Sequence, residues 1–317
     1  MDGVGQLIAL LQLRQMAAAM AGGVTWLVGL AVGPELAQRF ALAIQLDMLA
    51  RGTVYALVLI GGLFAITFVL ETVTGASRAA YAGRSFRQDV LYALFYQGGF
   101  YQVLLWSALA SAMESRLSFL KVEVLAGLPA PLHWLLYWIA VDFITYWWHR
   151  LLHSWGPLWA IHSVHHSQLE MSFISSYRLH PLEQLMQNVV MVAPLLIMGV
   201  PTSRWLPLMV VMALLEGLQH SALDWGYGRG YRVLVSPRFH SLHHSSDPRH
   251  HNRNFSKILS VWDFLFGTAV REDCRPEKLG VEGMPVPRTL GAQLVAPFRL
   301  MGRRSPPDAM AAAQPRQ

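Results

Sequence analysis

Long runs of apolar residues, separated by short polar segments, fill most of the first half of the chain. A helix needs about 20 apolar residues, within a range of about 17–25, to cross the hydrocarbon core of a bilayer. A later apolar region, 185–215, is broken at Pro201-Thr202-Ser203-Arg204, which predicts two shorter helices that dip into the membrane and return. Four earlier runs predict membrane spans at 16–33, 53–70, 90–113 and 132–148.

Composition agrees with this all-α integral membrane bundle. Hydrophobic residues make up 54% of the chain and charged residues 14%, whereas soluble domains carry about 25% charged residues. The net charge of +6 comes from the segment after residue 220, and in so apolar a chain it indicates an anionic membrane surface rather than nucleic acid. Arg78, Arg84 and Arg87 predict that the loop after the second span, and the segment after the fourth, face the cytoplasm.

Histidines are concentrated in one part of the chain, since twelve of the thirteen lie between His149 and His251. On a helix, residues three and four apart share a face, with Cβ atoms about 5–6 Å apart, so such sets aim their imidazoles at one point. Neutral imidazole binds iron, copper, nickel and zinc. Eight histidines follow this spacing in three groups: His149 and His153; His162, His165 and His166; His240, His243 and His244.

Eight nitrogen ligands exceed the four of a zinc site and suit two ions that share one cage. The single cysteine, Cys274, excludes a thiolate cluster, so the ligands have to be nitrogen and oxygen atoms. No HExxH, GxSxG or P-loop motif is present, which argues against a zinc protease, a serine hydrolase and a P-loop nucleotidase.

The order HxxxH, HxxHH and HxxHH after a membrane span resembles the fatty acid hydroxylase/sterol desaturase superfamily. The resemblance covers 142–268 and includes Arg178-Leu-His180-Pro181, His220-Ser221 and the closing segment 262–268. It implies a pair of iron ions, for which zinc can substitute on purification, that uses O₂ to oxidise a lipid C–H bond. It also implies a set of ten ligands: His149, His153, His162, His165, His166, His180, His220, His240, His243 and His244.

Carboxylates are expected around these ligands, because a metal-bound histidine usually donates its second N–H to an oxygen atom. His180 precedes Pro181 at a helix start, so a capping role is the alternative to ligation for this residue. We interpret His133 as interfacial, and His250 and His251 as surface residues. Five carboxylates are candidates for the supporting role: Asp142, Glu183, Glu216, Asp224 and Asp263.

The expected reaction is hydroxylation of a membrane lipid, such as a sterol, a fatty acyl chain or a sphingoid base, with desaturation as the second choice. The chain has neither a cysteine cluster nor a GxGxxG fingerprint, so electrons have to come from a separate ferredoxin or cytochrome. Two alternatives remain, a membrane b-type cytochrome and a metal transporter. We predict transmembrane helices in 1–131, a catalytic domain in 132–270 and a basic, partly disordered tail in 271–317.

Overall fold

A computed structural model of the chain describes residues 3–43, 45–76, 78–125, 127–199, 205–281, 287 and 289–301. These residues form helices and loops, with no β-strand among them, which confirms the all-α membrane fold. The proposed break at Pro201–Arg204 and the predicted disorder at the C-terminal end lie outside the described residues. The chain divides into two compact units, Met1–Leu63 with Ala93–Ala112, and Phe64–Tyr92 with Met113–Gln317.

The first unit is built on α1 (Gly3–Val32), α2 (Pro34–Ala43) and the first part of α3 (Leu46–Val73). Gly33 has a φ of +87°, a left-handed conformation that ends α1 and lets Pro34 begin α2. Small side chains between α1 and α3 allow the helices to approach closely. One buried cluster of this unit contains Ala17, Ala21, Leu46, Ala50 and Val54.

Three helices in the described part of the chain are long and apolar enough to cross a membrane: Gln12–Val32, Leu46–Val73 and Pro181–Met198. The first two correspond to predicted spans. The third, α9, falls in the region for which two shorter helices were predicted; it is followed by α10 (Trp205–Gln219). The protein is therefore a membrane protein, with three candidate spans among its described residues.

The predicted continuous span at 90–113 is wrong. Helix α5 (Arg84–Gln97) stops at a Gly98-Gly99 pair, and Gly99 has a φ of +82°. The chain then makes a short π-helical segment, Gln102–Trp106, before α6 (Ser107–Arg116). The predicted span at 132–148 does lie within one helix, α7 (Ala130–Ser154), but its many Trp, Tyr, His and Asp residues make it less apolar than the three candidates.

The second unit surrounds α8 (Gly156–His166), whose residues are mostly buried. Pro157 occupies the first turn of α8, where its missing N–H costs nothing, so α8 begins directly after α7. Helices α7, α9 and α13 (Leu290–Met301) pack on α8. Short helices α4 (Ala79–Ala82), α11 (Pro237–His243) and α12 (Val261–Leu265) complete the series, and α11 packs on α10.

Candidate metal centre

The clustered histidines are presented by the ends of helices. Helix α7 carries one pair in its last two turns, and α8 carries three in its last turn and a half. His220 follows the last residue of α10, and α11 presents two more, with His244 as its C-terminal cap. Two of these side chains, His149 and His153, are half-buried, and the other seven are buried.

Nine histidines converge in two neighbouring groups. Within each group, one nitrogen from every ring lies within 4.8 Å of the others. The groups touch, since the rings of His166 and His244 are stacked with centroids 4.4 Å apart. The first group contains His149, His153, His162, His166 and His243, and the second contains His165, His220, His240 and His244.

Distances between nitrogens within the groups suit metal ligation. In the second group, the Nε2 atom of His220 lies 3.2 Å from that of His165 and 3.1 Å from that of His240. Two nitrogens bound to one ion at about 2.0–2.1 Å, with angles of 90–109°, are roughly 2.9–3.4 Å apart. A neutral imidazole has a single N–H, so rings that already use Nδ1–H elsewhere cannot share a proton between their Nε2 atoms.

Unpaired nitrogens in the first group point the same way. The Nε2 atoms of His153 and His243 are buried and have no hydrogen-bond partner among the described residues. A buried polar atom without a partner is costly, and a bound ion would remove that cost. The donor set, its burial and its spacing therefore fit a metal-binding centre.

His180 is not brought into either group. Its Nδ1 accepts a hydrogen bond from the backbone N–H of Leu182 (3.1 Å), and its Nε2 donates to the carbonyl of Leu294 in α13 (3.1 Å). It caps the N-terminus of α9, which is the alternative role named for it above. We therefore leave it out of the ligand set that we propose below.

The surface position expected for His250 is wrong. This side chain is buried at the end of a short 3₁₀ turn, and its Nε2 lies 3.6 Å from a carboxylate oxygen of Glu272. His251 is exposed, as expected. Neither residue belongs to the two groups.

Comparison with known families identifies this arrangement. The family model described as fatty acid hydroxylase matches residues 134–268, which contain all nine clustered histidines. This segment is similar to the fatty acid hydroxylase family. The resemblance of the sequence to the fatty acid hydroxylase/sterol desaturase superfamily is thereby confirmed.

Proteins that match this segment carry the names of enzymes that act on different lipids. An ornithine lipid hydroxylase from Rhizobium tropici is 32% identical over 52% of this chain and 50% of its own length. An alkylglycerol monooxygenase from Danio rerio is 31% identical over 44% of this chain and 31% of its own. A Delta(7)-sterol-C5(6)-desaturase from Nicotiana tabacum is 26% identical over 50% and 58%. The chain thus spans only about half of the first relative, and no solved structure matches it significantly.

Backbone carbonyls hold the second nitrogen of several rings. The Nδ1 atom of each ring donates to one carbonyl, which leaves Nε2 free to face the centre and fixes the direction of the ring. The sequence could not reveal these acceptors, because every residue type carries a carbonyl. The pairs are His149 with Phe255 (2.7 Å), His165 with Arg178 (3.1 Å), His220 with Glu216 (2.8 Å) and His243 with Arg253 (2.7 Å).

One carboxylate contacts a clustered ring directly. The Nδ1 atom of His162 donates to Oε1 of Glu183 at 2.8 Å, and both side chains are buried. Glu216 reaches His220 through its backbone carbonyl, whereas its carboxylate forms an ion pair with Lys257 (3.0 Å). Asp224 is half-exposed, and its carboxylate pairs with Arg238 instead.

Two further carboxylates act on the loop that follows His250. Asp142 accepts hydrogen bonds from the backbone N–H groups of Ile258 and Leu259 and from the indole of Trp262. Asp263 accepts from the N–H groups of Phe255 and Ser256. Both residues therefore support the rings indirectly, because they fix the loop that supplies the carbonyls of Arg253 and Phe255.

Electrostatics keep the rings in the form that binds metal. Burial, assisted by the nearby Lys257 ammonium, lowers the pKa of His149 and His220 to about 4. Burial also lowers the pKa values of the other seven histidines well below their usual range. The rings are therefore neutral at pH 7, and neutral imidazole is the metal ligand.

Proposed function

We propose that this protein is a membrane-bound oxygenase that hydroxylates a C–H bond of a membrane lipid at a histidine-bound pair of iron ions. The observation that carries this proposal is the convergence of nine histidines, in groups of five and four, inside a fatty acid hydroxylase segment. Soluble di-iron bundles use Glu together with His, and this centre would differ from them in its all-nitrogen ligand set.

The two groups suggest how the ions would be held. One ion would be bound by the first group and the other by the second, with the carbonyls and Glu183 fixing the rings from behind. Bound iron would supply the reduction of O₂ and the oxidising power for the C–H bond. Zinc binds nitrogen sites more tightly than Fe²⁺ but has no redox chemistry, so zinc-loaded protein would be inactive.

The protein's own residues would orient and isolate the reaction. Burial of the rings excludes bulk water. Because the imidazoles are neutral, each has one nitrogen without a proton that can bind metal. One oxygen atom enters the C–H bond as a hydroxyl group and the other leaves as water, which consumes two electrons and two protons. These electrons would come from a separate ferredoxin or cytochrome, since the chain has one cysteine, Cys274, and it is exposed.

Lipid is the proposed substrate because the relatives named above act on ornithine lipids, alkylglycerols and sterols. Hydroxylation is favoured over desaturation because the hydroxylase and the monooxygenase are 32% and 31% identical, whereas the desaturase is 26% identical. We also propose that the centre faces the cytoplasm, on the basis of Arg78, Arg84 and Arg87.

The alternatives fit the geometry less well. A bis-histidine haem would have to stand between two opposed rings, but neighbouring Nε2 atoms in each group are 3.1–3.2 Å apart. A metal transporter binds its ion near the midplane of membrane-spanning helices. None of the nine histidines lies in the three candidate spans found among the described residues.

The test is oxygen labelling. Membranes that contain the iron-loaded protein are supplied with ¹⁸O₂, a reducing system and candidate lipids, and the lipids are analysed by mass spectrometry. We expect ¹⁸O in a lipid product, and its absence with His165→Ala. A product that forms without O₂, or that takes its oxygen from water, would refute the proposal. A loss of two hydrogens without label would indicate desaturation instead.

A further inference from the structure

His220 lies at the point where the chain leaves α10. It follows the last residue of α10, and its N–H still donates to the carbonyl of Glu216 at 3.2 Å, whereas the residues after it leave the helix. Yet its Nε2 lies between those of His165 (3.2 Å) and His240 (3.1 Å), at the centre of the second group. A small shift of this residue would open the group of four.

The three residues after His220 form the loop 221–223. Hydrogen bonds to two charged side chains from other parts of the chain hold this loop in place. Oε1 of Glu71 accepts a hydrogen bond from the N–H of Ala222 at 2.7 Å. One guanidinium nitrogen of Arg275 donates to the carbonyls of Ser221 (2.9 Å) and Leu223 (2.8 Å). Both charged residues lie outside the segment 134–268 that matches the family model.

Burial makes these contacts strong. Glu71 is 1% exposed, and its other carboxylate oxygen accepts a hydrogen bond from the hydroxyl of Tyr81. Hydrogen bonds to ionised groups are roughly twice as strong as those between neutral groups. Leaving a buried backbone N–H or C=O without a partner costs free energy. The loop 221–223 is therefore stabilised in the position that these partners define.

The charges of the pair are also complementary. Arg275 and Glu71 attract one another electrostatically, although each contacts the loop rather than the other. The carboxylate holds a donor of the loop, and the guanidinium holds the acceptors on either side of it. Two peptide groups after His220, those that join residues 221 to 222 and 223 to 224, are thus held by this pair of charged side chains.

We propose that Glu71 and Arg275 are positioning residues for the second metal ion, because they fix the loop 221–223 and thereby the ring of His220. The inference rests on the proposed metal centre. It assigns a role at this centre to the end of α3 and to the segment after residue 270, neither of which the family match covers.

The experiment is a metal titration of the full chain in detergent. Metal-free protein is titrated with Zn²⁺ by calorimetry, and the binding steps are assigned with His153→Ala, from the first group, and His240→Ala, from the second. Loss of a partner behind a ligand typically weakens metal binding by about 10–100-fold. We expect Glu71→Leu to weaken the step assigned to the second group by at least about tenfold and to leave the other step unchanged.

A matched control lies in the same turn of the chain. The hydroxyl of Thr74 donates to the backbone carbonyls of Leu70 (2.8 Å) and Glu71 (3.3 Å) and to no atom of the loop, so Thr74→Val should leave both steps unchanged. Glu71→Gln keeps an acceptor for Ala222 but loses the charge, so it should weaken the same step to a smaller extent. Arg275→Met removes the hydrogen bonds to the carbonyls of Ser221 and Leu223, so it should also weaken that step.

The outcomes separate this inference from the proposed function. Two unchanged steps in Glu71→Leu would refute the positioning role while the metal centre stood. Equal weakening of both steps would also refute it, since the effect would then be on the whole fold. If Glu71→Leu is not folded, Glu71→Gln and Arg275→Met decide by the same criterion. A wild-type protein that binds no metal would remove the basis of both proposals.

Discussion

At the scale of single residues, the two ring nitrogens have different tasks in five of the clustered histidines. In four rings Nδ1 donates to a backbone carbonyl and in His162 it donates to Glu183, while the Nε2 atoms meet in the two groups. This division fixes the tautomer, because the ring carries its proton where the acceptor lies. Ligand strength therefore depends on partners that never touch the metal.

Replacing one ring tests the membership of the groups. His165→Ala removes one of the four nitrogens of the second group, so we expect purified protein to lose about one of its two ions. His180→Ala should keep both ions and lose about 1 kcal/mol of stability, because it removes the cap of α9. Metal analysis and thermal unfolding measure the two effects. Loss of metal in His180→Ala would return this residue to the ligand set.

Replacing Glu183 tests the support of a ring. In Glu183→Gln the amide oxygen can still accept from His162 but carries no charge, so the ring becomes a weaker ligand. We expect about 10–100-fold weaker binding of the ion in the first group, measured by competition with a chelator of known affinity. Asp224→Asn is the control, since that carboxylate pairs with Arg238 and should not change binding. Similar losses in the two variants would contradict the assignment.

Much of this residue-scale arrangement follows from the sequence, and the rest has a physical reason for being hidden. The spacing of His162, His165 and His166 predicts a shared centre because helix geometry is local. The hydrogen bond from His149 to the carbonyl of Phe255 could not be predicted, because that carbonyl lies in a loop 106 positions further along the chain. Pro181 indicates a capping role for His180 as the alternative to metal ligation. The sequence could not decide between the two, because the partner of His180, Leu294, lies 114 positions away.

At the scale of elements, the loop 252–255 is the part of the structure that supports the first group most fully. The side chain of Asn252 hydrogen-bonds His153, and the carbonyls of Arg253 and Phe255 accept from His243 and His149. Asn252 and Asn254 both adopt left-handed backbone conformations, with φ values of 56° and 57°. Asparagine tolerates this region better than most residues, so the loop can turn twice within four positions.

Asn254 gives a direct test of that loop. Its amide donates to the carbonyls of Phe239 and Val270 and accepts from the N–H of Val270. Asn254→Ala loses these bonds and is strained at this φ, so we expect at least about 2 kcal/mol of destabilisation and weaker metal binding by the first group. Asn254→Gly relieves the strain but not the lost bonds, and should be intermediate in denaturant unfolding. The control is Asn188→Ala on α9, which removes an acceptor of Gln184 and should leave metal binding by the first group unchanged. Equal stability of the Ala and Gly variants would show that backbone strain contributes nothing.

Elements also mark where sequence patterns fail. Hydropathy alone treats 90–113 as one span, because glycine does not interrupt an apolar average, yet Gly98 and Gly99 end the helix there. The opposite occurs in α9, where Pro194 sits inside an otherwise continuous helix. A proline within a helix leaves one hydrogen bond unmade, but it need not end the helix in an apolar setting. Whether a glycine or a proline ends a helix therefore depends on its surroundings as well as on the residue type.

At the scale of the whole molecule, the metal centre joins elements that are distant in sequence. The rings come from the end of α7, from α8, from the residue after α10 and from α11. Nine polar rings, seven of them buried, cannot be stabilised by hydrophobic burial alone, because the unpaired nitrogens of His153 and His243 remain costly. Bound ions would link these elements, and their binding free energy would become folding free energy.

Removing metal should therefore destabilise the second unit as a whole. A site held at 100 times its dissociation constant contributes about 2.7 kcal/mol, and 1 kcal/mol shifts the midpoint of a domain of this size by roughly 2–4 °C. We expect chelation of both ions to lower the unfolding temperature in detergent by roughly 10–20 °C, and added Zn²⁺ to restore it, because restoring the links does not require redox chemistry. His165→Ala should show about half of this response, and His250→Ala, whose ring is buried outside both groups, should show all of it. If the ions leave and the midpoint does not move, the nine histidines do not hold these helices together through metal.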